Sequence, residues 1–263
     1  RGLPWGLVTE IANGETICDA QGKFNVAFQA LPDNNFPRAS DPTFSYSVEA
    51  WVTDINGETQ QANTSLTIGY RSIDLDIALG DALDRSIADS LLVRVTNLNG
   101  QRVDVPFDVR IVRLDQPAGG VKRERLWDRP DRFILTPDSF AMRFPDDVYA
   151  NESDPSTWAH DSAAFAHHAA LPFSGPIPIH TIRDQVVGTY LVEVEATDPE
   201  GNLVKASKVF TLFDPEIQNT GFENEAFHVQ VVKGSCEPGE KAVLVLSSAL
   251  PACRVLMEVE RDG

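Results

Sequence analysis

Residues 46–70, YSVEAWVTDINGETQQANTSLTIGY, align without a gap on residues 190–214, YLVEVEATDPEGNLVKASKVFTLFD, at a constant offset of 144 residues. Eight of the 25 positions are identical: Tyr46, Val48, Glu49, Thr53, Asp54, Gly57, Ala62 and Thr67 each recur in the second copy. A recurrence at fixed offset means that one supersecondary unit has been used twice. Within each copy the apolar period is two. Tyr46, Val48, Ala50 and Val52 alternate with Ser45, Ser47 and Glu49, and Tyr190, Val192, Val194 and Ala196 alternate with Glu193 and Glu195. That alternation puts one face of a strand into a core and the other into water. Two similar β-hairpins therefore close two similar domains.

Four turn signals of one form support hairpins throughout: Asp19 to Gly22, Asp54 to Gly57, Asn97 to Gly100 and Asp198 to Gly201. The Asp or Asn side chain can bond back to the turn backbone, and Gly supplies the positive φ that such a loop requires. After each repeat a new alternating run begins, at Ser72 to Ile77 and at Phe227 to Val232. Pro215, Asn219 and Gly221 break regular structure between them. The fold class expected is mainly β, as tandem antiparallel β-sandwich domains of immunoglobulin-like size. The boundaries are 1–70 for a first sandwich, 71–215 for a whole second one, and 222–263 for the opening of a third. Strands in the middle domain are expected at 72–78, 88–96, 105–114, 189–197 and 203–213. Between 115 and 176 the alternation fails over a stretch too long for a hairpin loop, which predicts a partly helical insertion. Asp154-Pro155-Ser156-Thr157-Trp158 reads as an N-cap with Pro at the first helical position, leading a helix to about Ala170. Thr136-Pro137-Asp138, with Phe140 and Phe144 one turn apart, predicts a second, shorter helix.

Charge and composition narrow the function classes. Acidic side chains number 39 against 22 basic ones, a formal charge of −17, which repels phosphate backbones and anionic headgroups. Nucleic acid and membrane surfaces are accordingly not expected as partners. No run of about 18 apolar residues occurs, and the start at Arg1 has neither a signal peptide nor an initiator Met, so the chain reads as part of a longer one. Cys18, Cys236 and Cys253 are too few and too scattered for a disulfide framework. A bridge between Cys236 and Cys253 is sterically open, as are buried free thiols.

Several clusters raise the question of chemistry. His160, Asp161, His167 and His168 suggest a metal, but a zinc pair on a helix needs spacing i, i+4, and seven residues span about 10.5 Å along the axis. A solvated helix face explains them better. Asp146-Asp147, and Asp128 near Asp131, match no calcium loop, and chance pairs are expected among so many acids. No nucleophile elbow, P-loop or dinucleotide fingerprint occurs, and Gly119-Gly120 lacks the following Lys. Neither catalytic, cofactor-binding nor metal residues are assigned, and no enzyme is expected. Asn63-Thr64-Ser65 and Asn151-Glu152-Ser153 fit the glycosylation tripeptide, a pattern common by chance. Trp127, Phe133, Tyr149 and Trp158 either present a binding face or form a small core pinning the insertion to its sandwich.

The segments Trp51 to Thr59, Arg125 to Asp131, Asp154 to Trp158 and Phe210 to Asp214 resemble bacterial members of the alpha-2-macroglobulin family, and Glu237 to Arg261 resembles the start of the domain leading toward the bait region. The resemblance implies tandem macroglobulin-like sandwiches in a larger exported protein of the periplasm or cell envelope, often lipid-anchored. Such proteins trap proteases: bait cleavage closes the molecule, and in many members a Cys–Gln thioester captures the protease. Residues 1–263 would then be scaffold, with proteases as partners of the parent and no cofactor. Cys18-Asp19-Ala20-Gln21 has the thioester spacing but carries Ala20 where Glu is expected, and lies in a turn. A surface adhesin or carbohydrate-binding module is the alternative function, and an architectural spacer a third.

Overall fold

The computed structural model describes residues 9–117, 120–123, 125, 128, 130–172, 175–217, 222, 225–250 and 253–260. Contacts divide the chain into two compact units. One holds the described residues up to Ser72 together with Asn97–Gln101; the other holds Ile73–Thr96 and the described residues from Arg102 onward.

The first unit is built on β1 (Thr43–Thr53) and β2 (Thr59–Gly69), an antiparallel pair with Tyr46 opposite Leu66 and Thr53 opposite Thr59. Along most of β1, half-buried and exposed residues alternate. On the covered face the Tyr46 ring lies against Phe28, centroids 5.6 Å apart, and its hydroxyl donates to the Leu31 carbonyl at 2.9 Å. The turn Asn97–Gln101 belongs here too: Asn99 accepts from the Thr67 N–H at 2.8 Å and donates to the Thr67 carbonyl at 3.1 Å.

The second unit contains β3 (Ile73–Ala78), β4 (Ala82–Asp84), β5 (Ser90–Asn97), β6 (Phe107–Asp115), α1 (Pro137–Arg143), β7 (Ala159–Ala169), β8 (Ile177–Pro178), β9 (Gly188–Thr197), β10 (Leu203–Phe213), β11 (His228–Lys233) and β12 (Val243–Ser247). A three-stranded sheet in the order β3-β5-β8 and a five-stranded sheet in the order β4-β10-β9-β6-β7 share one hydrophobic core. Ile73, Leu75, Leu91 and Ile177 enter it from the first sheet, and Phe107, Val109, Ile111, Val192, Val194, Phe210 and Leu212 from the second. The two sheets thus offer alternate residues to one interior, which is the packing of a mainly β, antiparallel sandwich. The strands β11 and β12 pair with one another in a separate sheet.

The repeat seen in the sequence is a repeat of register. In β9–β10, Tyr190 stands opposite Phe210 and Thr197 opposite Leu203, each 144 residues beyond its counterpart in β1–β2. The turns coincide as well. Asp19, Asp54, Asn97 and Asp198 each accept, through the first carboxylate or amide oxygen, from the backbone N–H groups two and four residues on, at 2.7–3.1 Å. The fourth residue of each is Gly at φ +76° to +88°. A side chain that replaces two ladder partners, followed by the one residue type at ease with positive φ, reverses the chain in a fixed number of residues and so fixes the register.

The Asp54 turn has a pH signature. The Glu58 and Asn56 N–H groups aimed at Asp54 hold its carboxyl below the ordinary value of 3.8. A depressed folded-state pKa adds stability above the unfolded value, and that stability disappears as pH falls through the folded value. The Asn56 and Glu58 amide resonances are expected to report a midpoint below 3.8. A midpoint at or above it would mean that the turn hydrogen bonds do not hold the carboxylate in solution.

Two expectations about the insertion need correction. The helix expected from Asp154 to about Ala170 is a single 3-10 turn, Pro155–Thr157, followed by strand β7. Asp154 does cap it, accepting from the Ser156 N–H at 3.0 Å, but Trp158 is extended, at φ −72° and ψ 154°. The open edge of β6 supplies a ladder from Phe107–Ala169 to Asp115–Ala159, and pairing along it outweighs alanine's helix preference of under about 1 kcal/mol per residue. The expected insertion at 115–176 therefore shrinks to 116–158. The shorter helix forms where expected, as α1, with Thr136 accepting from the Ser139 N–H and Pro137 at the first position.

Candidate functional site

Along β6 the inward phase runs Phe107, Val109, Ile111 and then Arg113, a cation where the alternation calls for another apolar residue. Arg113 stands opposite Tyr190 across the β6–β9 ladder. On its other side β7 does not keep register: Phe165 faces Ile111, Ala163 faces Val112 and His160 faces Leu114, which leaves Asp161, Ser162 and Ala164 without ladder partners. Bulges of this kind re-aim side chains at the rim of a sheet. The bulged residues 161–164, Arg113, Gln185, Val186 and Tyr190 line an open recess of about 350 Å³.

The guanidinium lies over Gly188, where a Cβ would stand 3.7 Å from both Nε and Nη2. At φ +144° that position favours glycine, so residue 188 adds no side chain beside Arg113. Its Nε is buried and has no hydrogen-bond partner, and among the described residues the guanidinium forms no ion pair. Tyr190 donates its hydroxyl to the Val186 carbonyl at 2.6 Å. Burial pushes the phenol above its ordinary pKa, the Arg113 charge opposes this, and Asp161 adds to it. A cation, a carboxylate and a side-chain amide thus share one recess, with the cation unpaired. Such a set offers a positive charge, a negative charge and an amide to one polar molecule.

A second recess of about 280 Å³ lies among Arg85, Arg183, Asp214 and Glu216. Its cations are already matched: Arg85 Nε meets Asp214 at 2.9 Å, and Arg183 Nη2 meets Asp89 at 2.5 Å.

The residues singled out in the sequence are placed elsewhere. His160, His167 and His168 lie on strand β7, not on a helix face. His168 Nδ1 is 2.7 Å from Asp108, and His167 stacks on Phe165. Residues eight apart on a strand are about 26 Å apart, and among the described residues no three His, Cys, Asp or Glu gather as a metal cage. Asp147 pairs with Arg123 at 2.9 Å, and the Asp146 carbonyl accepts from the Arg123 N–H, so both tie the insertion together. Asp128 and Asp131 are exposed. Cys18, Cys236 and Cys253 are exposed free thiols, and Gln21 lies in the Asp19–Gly22 turn.

The aromatic residues are used in packing. Trp158 is 7% exposed against Val112, Leu114 and Leu191 on the outer face of the five-stranded sheet, and its indole N–H donates to the Glu152 carbonyl at 2.9 Å. Phe133 and Phe140 pack at a tilt against Tyr149, at 4.4 and 5.1 Å between centroids. Trp127 and Gly119 lie outside the described residues, and Arg125 Nη2 donates to the carbonyls of Val148, Tyr149 and Ala150. The one signal of the Arg113 site in the sequence is an Arg on the core phase of a strand.

A scan against protein-family models finds no match to this chain, and a search of curated proteins finds none.

Proposed function

We propose that residues 1–263 are scaffold domains of a bacterial alpha-2-macroglobulin-like protease trap, exported to the periplasm or cell envelope. The observation carrying this reading is the pair of hairpins that repeat register, turn and tyrosine position at 144 residues, the mark of tandem domains of one kind. Two details favour immunoglobulin-like sandwiches. The order β3-β5-β8 against β4-β10-β9-β6-β7 reads as A-B-E against A′-G-F-C-C′, and Tyr190, near the start of β9, bonds back to the carbonyl four residues upstream as a tyrosine corner does. Rigid sandwiches in series suit a molecule that holds a bait and passes its cleavage on as a rearrangement between domains. The adhesin reading is weakened because Trp158 is buried and Phe133 and Tyr149 are half-buried against each other.

The test is limited proteolysis of the full-length parent with several unrelated proteases, followed by native gel mobility and mass spectrometry of the cuts. One shared cleavage segment outside residues 1–263, with a faster-migrating product, is the expected result. Scattered cuts without a change of shape would sink the trap.

A further inference from the structure

We propose that the recess at Arg113 binds a small monocarboxylate that also carries a hydroxyl or ammonium group, with Arg113 taking the carboxylate and Asp161 the donor. The inference stands independently of the protease-trap reading.

Three observations carry it. The first is an imbalance: in a chain with 39 acids against 22 bases, the half-buried guanidinium of Arg113 is left without an ion pair among the described residues. Charges withdrawn from water are paired in native proteins, and one that lacks a counter-charge in the chain calls for an anion. Second, Gly188 beside the Arg113 guanidinium carries no side chain that could compete for its donors. Two parallel N–H groups match the two oxygens of a carboxylate, the bidentate geometry that distinguishes Arg from Lys. Third, Asp161 lines the same recess. Its charge disfavours dianions such as sulfate or phosphate, and it accepts from a hydroxyl or ammonium on the same ligand. At about 350 Å³ the space is at the lower end of ligand pockets, right for a small organic acid and too small for a polymer.

Amide chemical shifts of the chain, followed during titration with lactate, acetate and sulfate, decide the matter. Lactate is expected to move the Ser162, Gln185 and Gly188 amides saturably, with a dissociation constant on the order of 1 mM. Acetate should bind several-fold more weakly and sulfate should leave these amides still. Arg113→Gln should abolish the lactate response, and Asp161→Asn should bring lactate down to the acetate level. Ser162→Trp, at an exposed position on the bulge, should block the recess without touching the core, and decides the case if Arg113→Gln does not fold. No saturable shift with either carboxylate, sulfate binding as tightly as lactate, or lactate binding unchanged in Ser162→Trp would each overturn the proposal.

Discussion

Phe210→Ala is expected to destabilise the second unit by about 3–5 kcal/mol, the range for removing a buried aromatic ring and leaving its cavity. Phe210 is 1% exposed, lies 5.7 Å from the Tyr190 ring and is surrounded by both sheets. Domains are stable by only about 5–15 kcal/mol, so one such loss threatens the sandwich as a whole. Its counterpart by the repeat is Leu66, half-buried opposite Tyr46, and Leu66→Ala should cost visibly less. Urea unfolding followed by hydrogen exchange at Val192 and Val194 measures the first effect in place. A loss below about 1 kcal/mol for Phe210→Ala would mean that the ring is outside the core and that the β9–β10 register differs from the one described.

Asp198→Ala is expected to lower stability by about 2–4 kcal/mol. The carboxylate is 3% exposed and accepts from the Glu200 and Asn202 N–H groups and from the Asn202 side chain. Alanine leaves these donors facing a site that water reaches poorly. Asp198→Asn should recover most of the loss, because an amide oxygen accepts the same two N–H bonds, as Asn97 does in its own turn. Asp54→Ala alters an equivalent turn in solvent, where water replaces the lost acceptor, and its effect has the same direction and smaller size. Thermal unfolding of the three variants checks this ordering. Equal losses for Asp198→Ala and Asp198→Asn would show that the carboxylate charge, and not its geometry, matters.

The elements most legible in the sequence were those whose pattern is local. Five strands of the middle region could be read from alternation, and all four turns from the pairing of Asp or Asn with Gly three residues on. The helix α1 was legible from Thr136 and Pro137, since a cap and a fixed φ act within one turn. The segment 159–169 carries helix signals, since Ala is a good helix former and Asp154-Pro155 is a genuine cap, yet it forms a strand. Nothing local records that β6 has a free edge.

By itself, then, the sequence determined the β character, the hairpin turns and the duplication at 144 residues, because alternation, turn chemistry and repeats are properties of neighbours along the chain. Only the tertiary structure decided that the Ala-rich run becomes an edge strand, that Trp158 is buried on the outer face of a sheet, and that Arg113, Asp161 and Gly188 meet. These three come from β6, β7 and β9. Their meeting depends on strand pairing across long sequence separations and on a break in register, which residue order alone does not contain.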